Sequence, residues 1–423
     1  MKVIESLKIK EKIYMEKLEN GLTVMIVPKN TTNKKYAIWG THFGSIDNHF
    51  IMPNTKEEVS VPDGVAHFLE HKMFEQEDGI DPFTFASKTG TYSNASTNFE
   101  CTRYYFEGNQ AFKENLDFLL DFVGSPYFTD ENVEKEKGII AEEIKQYDDE
   151  VEWIFEEELK KALLKNDNHR VDIAGTVESI SKITKEDLYN TYYTFYQPSN
   201  MFIVISGDFD KDIALNTIRQ NKTLKNAKSN SKIKVFSEKE PLEVNNEKVE
   251  LELPIATTKV GYGIKISLKD VDDIYIFGLY IGMMLNIKFG LSSLFREKLK
   301  AEKLMTSFYV EREIIGDYLI INFKADSEKP EELIESIKQE LNNKDVEEDD
   351  INRLKKVWIS SEVIMIDNIN MTLENIVSDI MEYGKIISDR IDIFRALNKN
   401  QYDKMLSKVD FSNASALIIR PKK

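Results

Sequence analysis

The sequence predicts an α+β fold built from two similar halves, and three features indicate it. Strands and long helices mix along the first half without a strict alternation, so a doubly wound parallel sheet is not expected. A polar run at residues 221–231 begins a linker that extends to about Asn246. Each half ends in a helix that is followed by Ser-Asn and a buried apolar strand, at Ser199 and again at Ser412.

These features divide the chain into three parts. The 423 residues correspond to two or three domains at roughly 150 residues each, which is enough chain to bury sizeable cores. We expect a first domain at residues 1–220, a linker at 221–246 and a second domain at 247–423.

Each expected element of the first half has a local signal. β-Branched runs bounded by glycine, proline or polar turns indicate strands, and apolar residues at helical spacing indicate helices. The expected strands are Gly21–Pro28, Tyr36–Phe43, Tyr104–Phe106 and Met201–Ser206. The expected helices are Gly64–Phe74 with Asp63 as its N-cap, Ala111–Val123 and Glu131–Tyr147.

The second half begins again with strands. The expected strands are Glu250–Leu253, Lys259–Ser267, Ser307–Glu311 and Tyr318–Ala325. A glycine-containing apolar run, Ile274–Leu285, lies between them. It is shorter than the roughly 18 residues that a membrane-spanning helix needs, so we expect a buried helix.

Composition excludes several classes of function. Acidic residues number 73 and basic residues 56, so the formal net charge is −17, which argues against general nucleic-acid binding and favours cationic partners. The single cysteine, Cys101, excludes an intramolecular disulfide framework, and we expect it to be a buried, inert thiol. The segment Met1–Lys8 is charged throughout, so we expect no secretory signal, a cytoplasmic location and no membrane partner.

The segment Val65–Lys72 carries the strongest chemical signal. His67 and His71 are four residues apart, so on a helix their side chains project from one face, one turn apart. Two imidazoles placed in this way can reach one Zn²⁺ at about 2.0–2.1 Å. Glu70 lies between them and can face the same metal without being a ligand. The order His-x-x-Glu-His is the reverse of the commoner His-Glu-x-x-His and is the inverzincin signature.

A solvated polar face is the alternative interpretation of this motif. Three observations favour a metal site instead. The chain has five histidines, and two of them lie in the motif. The flanking residues Val65, Phe68 and Leu69 are apolar, which indicates a packed helix. Acidic residues that could supply a third ligand follow downstream.

The spacing of residues in the sequence does not determine the third protein ligand of the expected zinc ion. Catalytic zinc usually has three protein ligands and a water. The candidates in the acidic helix are Glu136, Glu142 and Glu143. Glu136 and Glu143 are seven residues apart and share a helical face, but spacing alone does not choose among the three. A merely solvated acidic helix is the alternative.

Together these residues resemble the pitrilysin family, which includes insulin-degrading enzyme and the mitochondrial processing peptidase. The resemblance is strongest to the family's small bacterial branch and covers residues 20–210 well. Further segments that match are Gly90–Thr97, Thr102–Tyr105, Ala174–Ile180 and Tyr196–Met201. The resemblance implies two homologous domains, each a mostly antiparallel sheet packed with helices, that face each other as a clamshell.

The resemblance also implies a role for each residue of the motif. It makes His67, His71 and Glu143 the ligands of Zn²⁺, the expected cofactor. Glu70 is then the general base that activates the zinc water for attack on the scissile carbonyl. Glu136 matches the acid that orients a ligand histidine. The implied activity is that of a zinc metalloendopeptidase acting on peptides or small unfolded polypeptides bound in extended conformation.

Substrate binding is implied in both halves. Asn94 and Ala95 match the edge strand beside which a substrate adds as a further strand. The second half has no metal motif, and the resemblance makes it a non-catalytic domain that closes over the substrate. Leu299 occupies the position where family members often have an arginine, and Arg296 and Tyr309 are the nearest substitutes for substrate binding.

This departure keeps a second function open. The alternative is a non-catalytic or conditionally active subunit of a heterodimeric protease that matures leader or precursor peptides. The expected partners are therefore a peptide substrate and a second subunit, either another copy of the chain or a related one. The net charge of −17 is compatible with an acidic chamber that binds basic peptides. It is equally compatible with acidic residues spread over the outer surface.

Overall fold

The computed structural model describes residues 1–6, 11–229 and 232–422, which divide into two compact units. Each unit is assembled from three separate stretches of the chain. Unit 1 comprises Met1–Lys145, Val171–Ser237 and Val363–Asp389. Unit 2 comprises Gln146–Arg170, Glu238–Glu362 and Arg390–Lys423.

Strands and helices are numbered in chain order. The strands are β1 (Lys2–Ser6), β2 (Glu11–Lys17), β3 (Thr23–Pro28), β4 (Lys35–Thr41), β5 (His49–Ile51), β6 (Glu58–Ser60), β7 (Thr91–Thr97), β8 (Thr102–Gly108), β9 (Met201–Gly207), β10 (Lys234–Val235), β11 (Lys248–Leu253), β12 (Lys259–Ser267), β13 (Ser307–Ile315), β14 (Tyr318–Asp326) and β15 (Ala414–Pro421). The helices are α1 (Val65–Met73), α2 (Pro82–Lys88), α3 (Phe112–Val123), α4 (Asp130–Asp148), α5 (Val151–Leu163), α6 (Val177–Ser181), α7 (Lys185–Phe195), α8 (Lys211–Gln220), α9 (Lys222–Asn226), α10 (Ile274–Phe289), α11 (Leu294–Ala301), α12 (Pro330–Asn342), α13 (Glu348–Asp367), α14 (Ile369–Tyr383), α15 (Arg390–Ala396) and α16 (Lys399–Leu406).

The main sheet of unit 1 has seven strands in the order β1-β2-β3-β9-β4-β8-β7. The β3–β9 pair is parallel, and the other neighbouring strands are antiparallel. Strand β9 is buried along its whole length, as its continuous apolar sequence predicts. Strand β7 is an edge strand, so one row of its backbone groups lacks a partner strand within this sheet.

The two faces of this sheet are covered by different helices. On one face, Phe68 of α1 and Leu116 of α3 join a core with Ile203 of β9. On the other face, Leu373 of α14 packs with Val204 of the same strand. Alternate residues of β9 thus enter two cores, which is the period-two pattern of a strand buried on both sides.

The sheet of unit 2 has the order β11-β15-β12-β14-β13, with β11 and β15 parallel and the other neighbours antiparallel. Helix α5 covers one face, where Phe155 and Leu159 join a core with Leu417 of β15. Helix α10 lies on the other face, where the ring of Phe289 meets that of Phe323 at 4.8 Å. The α+β class predicted from the sequence is confirmed.

The two sheets repeat one topology. The order β3-β9-β4-β8-β7 in unit 1 corresponds to β11-β15-β12-β14-β13 in unit 2, with the parallel pair in the same place. The matching Ser-Asn pairs lead into the corresponding strands β9 and β15. Asn200 Nδ2 donates to His42 O at 3.0 Å, and Asn413 Nδ2 donates to Lys265 O at 2.8 Å. The repeat therefore extends to a side chain that ties each returning strand to its neighbour.

Two helices are exchanged between the halves of the sequence. Helix α5 lies in the first half of the chain but covers the sheet of unit 2, and α14 lies in the second half but covers the sheet of unit 1. The contiguous division at 1–220 and 247–423 therefore differs from the compact units. Hydrophobic periodicity reveals that a helix has an apolar face, but it does not reveal which sheet that face covers.

Part of the expected linker, 221–246, has regular structure. Helix α9 lies within it and buries Leu224, and β10 pairs with β5. Asn230 and Ser231 lie outside the described residues. Lysine and asparagine dominate the composition of this segment, so the sequence does not reveal that Leu224 is buried.

The apolar run of the second half forms helix α10, which is longer than expected and mostly buried. With the following α11 it is long and apolar enough to cross a membrane by length and composition. Residues 290–293 separate the two helices. The side chains of α10 are mostly apolar on all sides, as expected of a helix that packs inside unit 2. The expectation of a buried helix is confirmed.

Candidate metal and catalytic site

Helix α1 begins at a sharp turn that only glycine fits. Gly64 is the N-cap with φ +90°, and a Cβ at this position would lie 2.3 Å from Ala174 O. The prediction that Asp63 caps the helix was wrong. Asp63 Oδ1 instead accepts a hydrogen bond of 2.7 Å from Asn48 Nδ2. The start of the helix is thus held by close backbone packing rather than by a side-chain cap.

The two faces of α1 have different environments. Val65, Phe68 and Leu69 are buried in the core of unit 1, as their spacing predicts. His67 and His71 project together from the polar side, with ring centroids 4.6 Å apart. The apolar face fixes the helix on the sheet, and this fixes the direction of both imidazoles.

Helix α4 brings Glu143 to these histidines. Glu143 Oε1 lies 3.9 Å from His67 Nε2, and Glu143 Oε2 lies 3.7 Å from His71 Nε2. One donor atom from each of the three residues lies within 4.8 Å of the others. Glu142, which spacing could not separate from Glu143, is exposed and pairs with Lys145 instead.

Glu136 lies on α4 about two helical turns before Glu143, and it forms a hydrogen bond with His71. Its Oε1 is 3.0 Å from His71 Nδ1, and its other oxygen lies 3.7 Å from Lys72 Nζ. Because a carboxylate only accepts hydrogen bonds, His71 Nδ1 is the donor, and in the neutral imidazole the lone pair of His71 Nε2 lies on the side of Glu143. The role that the resemblance implies for Glu136, that of orienting a ligand histidine, needs this contact and stays a prediction.

The protonation of the histidines follows from burial and from Glu136. Burial, with the charge of His71, lowers the pKa of His67 to about 4, so this imidazole is neutral at neutral pH. Burial also acts to lower the pKa of His71, but the hydrogen bond and the charge of Glu136 outweigh it and raise that pKa. The pKa of Glu136 is lowered, because His71 and Lys72 outweigh its own burial.

Glu70 lies on the same helix and is held by the edge strand. Its side chain is buried, and Thr97 Oγ1 donates to Glu70 Oε2 at 2.5 Å. Burial raises the pKa of Glu70, and the hydrogen bond from Thr97 acts in the opposite direction. Such a carboxylate is suited to take up and release a proton near the operating pH.

The residues present fit a zinc ion. Two imidazoles and one carboxylate are the donor set of many catalytic zinc sites. Ligand atoms that share an ion at about 2.0–2.1 Å are themselves roughly 3–4 Å apart, which agrees with the separations from Glu143 to the two imidazoles. His67 Nδ1 is buried without a hydrogen-bond partner among the described residues.

Asn94 and Ala95 lie on the edge strand β7, as the resemblance predicts. Ala95 N donates to Asn94 Oδ1 at 2.9 Å, and Asn94 Nδ2 donates to Tyr92 Oη at 2.8 Å. A groove of about 500 Å³ runs beside the first half of this strand. Its lining is uncharged and consists of Phe83, Ala86, Ser87, Gly90, Thr91, Tyr92, Ser93 and Asn94.

Arg296 and Tyr309 belong to unit 2, whereas the His–His–Glu group belongs to unit 1. Arg296 Nε donates to Phe289 O at 3.0 Å, and its Nη2 donates to Phe308 O at 2.5 Å. The guanidinium thus fastens α11 to its neighbours. Tyr309 is 67% exposed on β13. Their roles in substrate binding stay predictions.

Two residues near the site were not assigned from the sequence. Thr97 lies in a segment that resembles the family. Its contact with Glu70 joins strand β7 to helix α1, and no pattern in the sequence predicts that contact. Lys72 directly follows the motif and is completely buried. A lysine at a core-facing helix position is itself a signal, because buried lysines are rare unless paired.

Known proteins resemble this chain in sequence. Residues 56–177 match the sequence profile described as insulinase (peptidase family M16), and residues 182–357 match the one described as the peptidase M16 inactive domain. A Bacillus subtilis protein named uncharacterized zinc protease YmfH is 39% identical over 349 residues, which cover 81% of this chain and 80% of that protein. The β subunit of the mitochondrial-processing peptidase of Caenorhabditis elegans is 24% identical over 80% of this chain and 76% of its own length.

Solved structures agree as well. The putative M16-like peptidase from Alicyclobacillus acidocaldarius superposes with a TM-score of 0.91 at 29% identity, over 99% of this chain and all of that one. A protease from Helicobacter pylori shares the fold, with a TM-score of 0.83 at 17% identity over 97% of this chain. Taken with the two profile matches and the B. subtilis relative, these findings show that the chain belongs to the insulinase family of peptidases, M16.

Proposed function

We propose that the protein is a zinc metalloendopeptidase whose metal is held by His67, His71 and Glu143. One observation carries the proposal. Three zinc-type donor atoms converge beside a buried carboxylate, that of Glu70, which lies on the same helix face as two of the donors. Relatives named as zinc proteases support this assignment.

The residues of the site divide the chemistry between them. When bound, zinc supplies a Lewis acid that polarises the peptide carbonyl and makes water a stronger acid. Glu70 accepts the proton of the attacking water and later gives it to the leaving amine. Thr97 holds the Glu70 carboxylate in place, and Glu136 holds the His71 imidazole.

The substrate is a peptide bound in extended form along β7. An edge strand offers unpaired backbone groups, so an added strand gains affinity from main-chain hydrogen bonds and selectivity from adjacent pockets. Because the groove beside β7 is lined by uncharged residues, we expect it to take uncharged side chains. A preference for basic peptides elsewhere along the substrate, and a cytoplasmic location, stay predictions.

The test compares the parent chain with Glu70→Gln. We expect both to bind zinc at near-unit stoichiometry, and we expect the variant to lose at least about 100-fold in peptide cleavage. Metal analysis and a quenched fluorescent peptide measure the two properties separately. A Glu70→Gln variant that cleaves as well as the parent would contradict the proposal, and so would a parent chain that holds no zinc.

A second candidate is a chain that is active only with a related subunit. The engagement of Arg296 with two backbone carbonyls favours it, because the guanidinium is occupied within unit 2. The similarity to a processing-peptidase β subunit supports the same idea. Purified chain that binds zinc but cleaves only after addition of a fraction from its host would favour this candidate over the first.

A further inference from the structure

Lys72 is the one residue of the motif helix α1 whose chemistry the proposed function does not use. Its side chain is completely buried. Its Nζ lies 2.5 Å from Glu75 Oε2 and 3.7 Å from Glu136 Oε2. Glu136 is itself mostly buried and uses its other oxygen to accept from His71 Nδ1. An unbroken chain of contacts therefore joins Lys72 through Glu136 to His71.

The position of Lys72 is unusual for a cation. It follows Phe68 by four residues on α1 and so continues the apolar side of the helix. Taking an ammonium group out of water is costly, and apolar residues of similar volume often replace buried ion pairs with no loss of stability. A methionine would fill a similar volume without burying a charge, but it would leave the Glu136 carboxylate without this cation. The lysine therefore calls for an explanation other than stability.

Glu136 provides that explanation. Its carboxylate must keep one oxygen on His71 Nδ1 while its other oxygen is removed from most of the solvent. The Lys72 ammonium is held by Glu75 and attracts the Glu136 oxygen that does not contact His71, which restrains the carboxylate from rotating away from the imidazole. Loss of a partner that orients a ligand histidine in this way weakens metal binding by roughly 10–100-fold.

We propose that Lys72 is a positioning residue of the metal site. Its ammonium group holds Glu136 so that His71 Nε2 stays directed at the donor atoms of Glu143. The inference rests on the proposed function in one respect, because it takes His67, His71 and Glu143 as the zinc ligands. It adds a residue that touches neither metal nor substrate and acts only through Glu136.

The test measures zinc affinity rather than cleavage. Metal-free full-length chain is titrated with Zn²⁺ in competition with a chromophoric chelator at neutral pH, and its thermal unfolding is followed separately. We expect Lys72→Met to weaken zinc binding about 10-fold. The metal-free chain should lose only a little thermal stability, because Glu136 keeps its hydrogen bond to His71 and Glu75 is partly exposed. Lys72→Arg, which keeps the cation, is expected to lie closer to the parent.

Lys135 provides the matched control. It is an exposed lysine that precedes Glu136 in the chain, so Lys135→Met removes a nearby positive charge without removing a buried contact. We expect this variant to bind zinc within about 2-fold of the parent, since exposed charges are screened by solvent. An effect as large as that of Lys72→Met would mean that net charge, not position, controls the site.

A double-mutant comparison tests the route through Glu136. Glu136→Gln should weaken zinc binding by itself, and adding Lys72→Met in that background should change the affinity by less than about 2-fold. Independent effects that multiply would overturn the proposal, as would unchanged affinity in Lys72→Met or Lys72→Met with a lower melting temperature and normal affinity. A parent chain without zinc would overturn the proposed function as well, whereas failure of Lys72 alone leaves the parent's zinc binding intact.

Discussion

Thr97 Oγ1 donates a 2.5 Å hydrogen bond to Glu70 Oε2, so the edge strand β7 directly holds the carboxylate on helix α1. The strand proposed to bind substrate and the proposed general base are thus connected by one contact. Movement of the strand would move the base.

The first prediction concerns Thr97→Val, which removes this donor. Because the hydrogen bond lowers the pKa of Glu70 against the effect of burial, its loss should raise that pKa further. The acid limb of the pH profile of kcat/KM should therefore move to higher pH, and kcat/KM at neutral pH should fall by roughly 10-fold. Ser96→Ala is the control, since Ser96 instead accepts from Arg103 Nε. An unshifted acid limb would refute the assignment of Glu70 as the base.

The second prediction separates the neighbouring acids of α4. Glu143→Gln removes a proposed ligand and should weaken zinc binding by more than about 100-fold, beyond the range for outer partners. Glu142→Gln should leave zinc affinity within about 2-fold, because Glu142 is exposed and pairs with Lys145. Chelator competition measures both. Equal losses in the two variants would show that α4 contributes through its total charge.

The third prediction concerns the stability of unit 2. The Glu240 carboxylate accepts from the backbone N–H groups of Asn166 and Asp167 and pairs with Lys265, which is fully buried. Glu240→Gln leaves the Lys265 ammonium without its counter-charge, so we expect a loss of about 3–5 kcal/mol in the free energy of unfolding. Chemical denaturation followed by circular dichroism measures it. Glu238→Gln, a nearby exposed position, is the control and should change little.

The fourth prediction is the pH dependence of the same pair. Lys265 and the backbone donors outweigh burial and lower the pKa of Glu240 in the folded chain. Since this pKa lies below its unfolded value of about 4.3, the contribution of Glu240 is complete above that pH and is lost as the pH falls through the lowered value. The stability difference between the parent and Glu240→Gln should therefore shrink on acidification. A difference that grows below pH 4 or so would contradict this sign.

The fifth prediction concerns the single thiol. Cys101 is 1% exposed, and burial raises its pKa to about 12. A thiol in this state carries almost no thiolate at neutral pH and does not react readily. The native chain should therefore be inert to a chromogenic disulfide reagent and should titrate one thiol after unfolding. Rapid reaction of the native chain would show that the connection between β7 and β8, which contains Cys101, opens.

Local patterns were sufficient to predict helix α1, which carries the proposed zinc ligands His67 and His71. His67 and His71 lie on one helix, so a spacing of four residues already places them together. The α+β class likewise follows from runs of strands and helices whose periods differ. In both cases the relevant contacts are short in sequence, which is why a single sequence reveals them.

Contacts between distant segments could not be predicted in this way. Whether Glu143 or Glu142 faces the histidines depends on the orientation of α4 about its own axis relative to α1. The spacing of the residues in the sequence is compatible with either one. Thr97 meets Glu70 only because β7 lies beside α1 in the folded unit. Asp63 was expected to cap α1, but the close approach of Ala174 O to Gly64 decides that turn instead.

The exchange of α5 and α14 has a consequence for a chain that is cut. A single break within 221–246 would produce two fragments, yet unit 1 would still contain α14 from the second fragment and unit 2 would still contain α5 from the first. To separate, the fragments would therefore have to remove α14 from the core of unit 1 and α5 from the core of unit 2. Each half of the sequence supplies a helix that the other half needs for its core. Protein cut in this segment should therefore remain assembled, and neither fragment should be recovered alone in soluble form.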